Sequence, residues 1–297
     1  MNAIRATSLH KVSAMAIGAA LLFGQAPAVR AAADGTETPL PQTTSEKIYY
    51  EDSADGLFHG YGVMVDADYY IYCDEVRTEY LKAQLSAPTY GNGIGLTNAC
   101  GAISGNNVVV YYDRYYSNLL PSFEPGMINY GTYTYFPDLQ WEQTDASLSS
   151  LYNLMQIPTV GGTTSANFRS GLASFMSSRG YTATYSSFQG TGTMPNLTTF
   201  GAAIDEGKVG VIMCSEYNFI TSMNYANGRV YVVKQTSTTG HIMMVYGYQT
   251  FGYYNDGVKF AEKTFLLVSS GYSTAEQGYM ELNDVSDIDE AWIVNVS

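Results

Sequence analysis

Residues 98–116 read NACGAISGNNVVVYYDRYY, and the fold turns on whether they form a helix or a strand. Val108, Val109, Val110, Tyr111 and Tyr112 have strand propensity. Spacing points the other way, because Ile103, Val110 and Tyr111 share one helical face with the Cys100 end. Local sequence leaves both readings open. Only the helix sets Cys100 beside unsatisfied N–H groups and the positive end of the helix dipole. That environment lowers a thiol pKa below its usual ~8.5. Gly101 then removes side-chain bulk next to the sulfur, and the Cys100 N–H becomes a donor for an oxyanion.

Working outward, residues 86–98 (SAPTYGNGIGLTN) form an extended, glycine-broken approach. Downstream, Leu148, Leu151 and Met155 share a face and predict a helix over 146–156. Phe168, Leu172, Phe175 and Met176 predict another over 165–179, with Thr163, Thr164 or Ser165 as its cap and Gly180 as its stop. A short helix over 198–206 runs into the apolar strand VGVIMC. Asn227-Gly228 and Asp256-Gly257 each sit between strand-like runs and predict hairpins. Further strands fall at 241–248, 264–269, 278–282 and 291–296. Upstream, KIYY, GYGVMV and DYYIYC read as short strands, and EVRTEYLKAQL (75–85) as a short helix. Helices followed by an antiparallel sheet make an α+β class.

The chain opens with Arg5, His10 and Lys11, an apolar run over 12–24, and small residues up to Ala31 and Ala33. This pattern predicts a secretory signal peptide over 1–31 and an extracellular protein. The apolar run is shorter than the ~20 residues of a membrane-spanning helix, and no later run is long enough, so stable membrane insertion is not expected. Residues 32–85 begin with a small, polar, proline-containing leader (32–46). They constitute a leader or propeptide, or the first strands of the main domain, which spans 86–297. Without residues 1–31 the chain carries 11 basic and 27 acidic residues, a net charge of −16. Such a surface repels a phosphate backbone, so nucleic acid is not an expected partner. The 27 tyrosines fit a strand-rich protein.

There are three cysteines (Cys73, Cys100 and Cys214), and only His59 and His241 remain once His10 is removed. Two histidines with no close Cys/His cluster do not make a zinc site, and no phosphate-cradling glycine motif is present, so neither metal nor cofactor is expected. Cys214 sits in an apolar strand and reads as core. Export also permits a Cys73–Cys214 disulfide. Cys100 and His241 remain as the candidate pair, with the His241 ring at a strand start taking the thiol proton.

The flanking blocks carry a resemblance. NACGAISGNNVVVYYDRYY, TGHIMMVYGY (239–248) and FLLVSSGYSTAEQGYMELND (265–284) resemble, in order, the nucleophile helix, the histidine strand and the following strand pair of bacterial papain-like cysteine peptidases. The nearest likeness is to the bacteriocin-leader (double-glycine) peptidases, and the last block also resembles streptopain-type enzymes. The resemblance covers about 86–297. It implies a papain-like fold, with an N-terminal helical part whose nucleophile helix packs on a C-terminal antiparallel sheet, and it makes 100–116 a helix. It implies Cys100 as nucleophile and His241 as general base, acting on a peptide or protein substrate. Two positions depart from the family. Ser269-Ser270 stands where an Asn or Asp usually orients the histidine, leaving Ser270 as the candidate. Ile94 stands where an oxyanion glutamine is usual, leaving Asn92 or Asn98. The function expected is a secreted cysteine peptidase. The alternatives are a cell-wall amidase or transpeptidase on the same scaffold, or a binding protein with a degenerate papain-like fold.

Overall fold

Cys100–Asp113 is an α-helix (α1), and every residue from Gly101 to Asp113 is buried. A helix covered on all sides has no polar face, so its sequence shows no clean 3.6-residue period. That is why local sequence left 98–116 ambiguous. The computed structural model describes residues 69–84, 87–92, 94–120, 128–130, 133–135, 139–158, 162–226, 229–237, 240–272, 275–282 and 287–297. The predicted signal peptide, His59 and the strands expected in KIYY and GYGVMV lie outside the described residues.

The polar side chains of α1 fasten it to its surroundings. Asn107 accepts from the Tyr90 N–H (2.7 Å) and donates to the Tyr90 carbonyl (2.8 Å), which fixes the approach segment. Ser147 donates to Asn106 Oδ1 at 2.6 Å. At the far end, Tyr111, Tyr112 and Tyr116 donate to the carbonyls of Gly207, Val294 and Val296. Each of these polar groups of the α1 region thus has a partner.

Two further helices pack on α1: Leu139–Leu154 (α2) and Ser165–Ser178 (α3). Leu148, Leu151 and Met155 meet Phe168, Leu172, Phe175 and Met176 in one apolar core. Thr164 caps α3 by accepting from the Asn167 N–H, and Gly180 ends the turn with φ +89°. A fourth helix, Leu197–Asp205 (α4), is capped by Asn196 and buries Phe200, Ala203 and Ile204 in a second core.

Nine strands form one antiparallel sheet: Tyr69–Cys73 (β1), Glu75–Ala83 (β2), Ala183–Ser187 (β5), Val209–Ala226 (β6), Arg229–Ser237 (β7), His241–Asn255 (β8), Val258–Tyr272 (β9), Ala275–Glu281 (β10) and Asp287–Val296 (β11). Ile128–Tyr130 (β3) and Tyr133–Tyr135 (β4) make a separate hairpin. The long β6 pairs with β8 through Gly210–Cys214 and with β10 through Asn218–Ile220. Since β10 also pairs with β9, and β9 with β8, these four strands close a ring. Both sheet faces are covered. Ile242, Met244 and Tyr246 of β8 join the α1–α3 core, while Met243 and Val245 join the α4 core.

The α+β class stands, with one correction to the order of elements. The helix expected over 75–85 is the strand β2, paired with β8 from Glu75↔Tyr254 to Ala83↔Gly247. A nine-residue segment nucleates a helix poorly, whereas an edge position on β8 supplies a full ladder of hydrogen bonds. Residues 69–83 thus belong to the same sheet as the rest. The Ala226↔Arg229 pair closes a hairpin around the predicted Asn227-Gly228 turn. Asp256 (φ +50°) and Gly257 (φ +75°) give the left-handed pair that a tight two-residue hairpin requires.

Candidate active site

Cys100 is the first residue of α1 and is half-buried. No side chain caps this helix: Ala99 stands at the cap position and its first turn carries no acidic residue. The backbone N–H groups of Ile242, Gly101 and Cys100 itself favour the thiolate, but burial acts more strongly and pushes the thiol up from its ordinary value. The depressed thiol expected from helix placement is therefore not what the fold produces. Removing a sulfur anion from water costs more than one helix turn and three N–H groups return.

Two contacts tie α1 to the start of β8. The Ile242 N–H addresses the Cys100 sulfur, and the Ile242 carbonyl accepts from Ser104 Oγ at 2.7 Å. His241 immediately precedes Ile242, so β8 begins beside the first turn of α1. The His241 ring stacks on Tyr217, with centroids 6.0 Å apart. Its Nε2 lies 2.6 Å from the Ser270 carbonyl oxygen. A carbonyl only accepts, so Nε2 carries the proton and Nδ1 carries the lone pair of the neutral ring. Burial lowers the imidazole pKa to about 4, against the smaller opposing effect of the Ser270 carbonyl. At neutral pH Cys100 is therefore a thiol and His241 a neutral imidazole.

Ser270 thus reaches His241 through its main-chain carbonyl, where the sequence suggested its hydroxyl. Any residue at 270 offers that carbonyl, so no side-chain motif announces it. Gly271 follows in the left-handed region (φ +74°), where a Cβ would come within 3.2 Å of Ile103 Cγ2. The chain therefore passes close to the first turn of α1 directly after the carbonyl that holds His241.

The remaining candidates separate. Cys214 is the ladder partner of His241, and its thiol donates to the His241 carbonyl at 3.7 Å. Burial pushes its pKa up, which makes it an inert core thiol. Cys73 lies in the other core and donates to the Val230 carbonyl at 3.8 Å, so the two do not bridge. Asn92 closes its own loop, donating to the Leu96 carbonyl and accepting from the Leu96 N–H. Asn98 (φ +54°) donates to the Pro158 carbonyl at 3.3 Å. Among the described residues, no group of three or more His, Cys, Asp or Glu side chains converges as a metal site would require. No helix among them is long and apolar enough to cross a membrane. Sequence reading treated Thr163 only as a cap candidate. Its side chain instead lies against Gly101, where a Cβ would stand 2.6 Å from Thr163 Oγ1.

No protein-family model matches this chain, and no curated protein matches it.

Proposed function

We propose that the chain is an exported cysteine peptidase with a papain-like arrangement of α1 against the sheet. One observation carries the reading. Cys100 opens an uncapped helix whose first turns contact Ile242 at the start of β8, and the adjacent His241 sets its Nε2–H on the Ser270 carbonyl, so Nδ1 is the unprotonated nitrogen of the neutral ring. Because the thiol is raised and the imidazole lowered, the resting groups are neutral and not an ion pair. The proton moves to Nδ1 as the sulfur attacks the peptide carbonyl, and it then passes to the departing amine. Water cleaves the resulting thioester. The signal-like start and the acidic composition support an extracellular setting.

Steady-state cleavage of a fluorogenic peptide library, with mass-spectrometric trapping of the acyl-enzyme, tests this. Wild type acylates at Cys100, and Cys100→Ala and His241→Ala do not. The acid limb of kcat/KM reports the free enzyme's base. It falls near pH 4, where His241 protonates, and not near the ordinary histidine value. An acid limb close to 6.5 removes His241 in this buried setting from the base role.

The raised thiol and lowered imidazole also favour a second reading, a binding protein on the same scaffold. Absence of any acylation at Cys100, from peptides or from peptidoglycan fragments, selects it. Release of amino groups from peptidoglycan alone selects an amidase.

A further inference from the structure

Thr163 is 5 % exposed, and its hydroxyl oxygen has no hydrogen-bond partner. Buried hydroxyls normally find one, so an orphan beside a nucleophile calls for a physical reason. Capping of α3 does not supply it, because Thr164 holds that position. Packing does not require an oxygen there either, since valine has the same shape. The hydroxyl is the atom nearest the missing Cβ of Gly101, the second residue of a helix that no side chain caps. The unpartnered donor thus lies against the first turn of an uncapped helix, whose N-terminal end favours negative charge.

We propose that the Thr163 hydroxyl is the side-chain donor to the oxyanion formed when Cys100 attacks a peptide carbonyl; this rests on the peptidase reading above. The sulfur lone pair makes the C–S bond, the carbonyl π pair moves onto oxygen, and the thiol proton goes to His241 Nδ1. The new O⁻ accepts from the Cys100 N–H and from Thr163 Oγ–H, neither of which gives up its proton. When the oxygen pair re-forms C=O, the C–N bond breaks and the amine leaves with the proton from His241. Thr163 fills the role for which Asn92 and Asn98 were the sequence candidates, and both of those are engaged elsewhere. A glycine at 101 is what lets the threonine approach this closely.

The test compares Thr163→Val and Thr163→Ser with wild type in four measurements: melting temperature, alkylation of Cys100 by iodoacetamide, kcat and KM on a cleaved peptide, and affinity for a peptide aldehyde. An aldehyde adds to Cys100 as a hemithioacetal whose oxygen occupies the oxyanion position, whereas alkylation does not use that position. Thr163→Val is expected to melt no lower than wild type and to alkylate at the wild-type rate. It is expected to lose kcat by about a hundred-fold with little change in KM, and to weaken aldehyde binding. Thr163→Ser, which keeps the hydroxyl, restores most of both. Wild-type kcat and aldehyde affinity in Thr163→Val overturn the assignment while leaving the peptidase reading intact. A lower melting temperature for Thr163→Val also overturns it, because the hydroxyl then holds the fold. If wild type itself neither cleaves peptides nor adds the aldehyde, the peptidase reading fails and the assignment fails with it.

Discussion

His241 sits in an environment that departs from what its type suggests. A folded-state pKa of about 4 against an ordinary 6.5 means that the unfolded chain binds the proton more readily between those values. Stability therefore holds above pH 6.5 and is lost as pH falls toward 4, with no further contribution from this group below it. Urea midpoints measured across this range are expected to fall for wild type and to fall less for His241→Gln. Equal slopes would show that the ring is solvated in solution. Asp113 acts in the opposite sense, because burial raises its pKa, so the difference between the two proteins is the informative quantity. Gly271 is the second decisive residue. Gly271→Ala places a Cβ in the left-handed region and against Ile103, at a cost of about 1–3 kcal/mol. The altered path also moves the Ser270 carbonyl, so the acid limb of activity is expected to shift together with the melting temperature.

At the scale of elements, the helices differ in what holds them. α3 carries its own signals: Thr164 at the cap, apolar residues on one face and Gly180 at the end. α1 has none of these and is held by tertiary contacts alone, through Ser104, Asn106, Asn107 and its terminal tyrosines. Thr164→Ala is accordingly expected to cost about 1 kcal/mol. Leu151→Ala, in the fully buried contact between α2 and α1, is expected to cost about 3 kcal/mol. Denaturant titration of the two variants checks the order. A reversed order would mean that α3 is marginal by itself and the α1–α2 contact dispensable. The β2 strand makes the complementary point, since its residues read as a short helix in sequence but lie on β8, where a sheet edge supplies the pairing.

For the whole molecule, the ring of β6, β8, β9 and β10 links both cores and carries His241 and Ser270 on neighbouring strands. No strand in such a ring opens without breaking two ladders. The amides of Val211–Met213, Met243–Val245 and Leu266–Val268 are therefore expected to exchange with solvent only through global unfolding, with one common protection. Hydrogen exchange resolved by peptide reads this directly. Faster exchange confined to β8 would mean that the ring opens at the rim that carries His241.

The sequence by itself determined what short-range physics controls. The hairpins at Asn227-Gly228 and Asp256-Gly257, the α3 helix with its cap and stop and the buried character of Cys214 were all legible from spacing and residue type. Local spacing left α1 open and only the family resemblance made it a helix; tertiary structure alone decided the strand state of β2, the carbonyl that holds His241, the inward turn of Thr163 and the direction in which the thiol and imidazole shift. These depend on residues far apart in the chain, such as Ser104 and Ile242 at a separation of 138 and His241 and Ser270 at 29. They also depend on desolvation, which belongs to the packed environment and to no single residue.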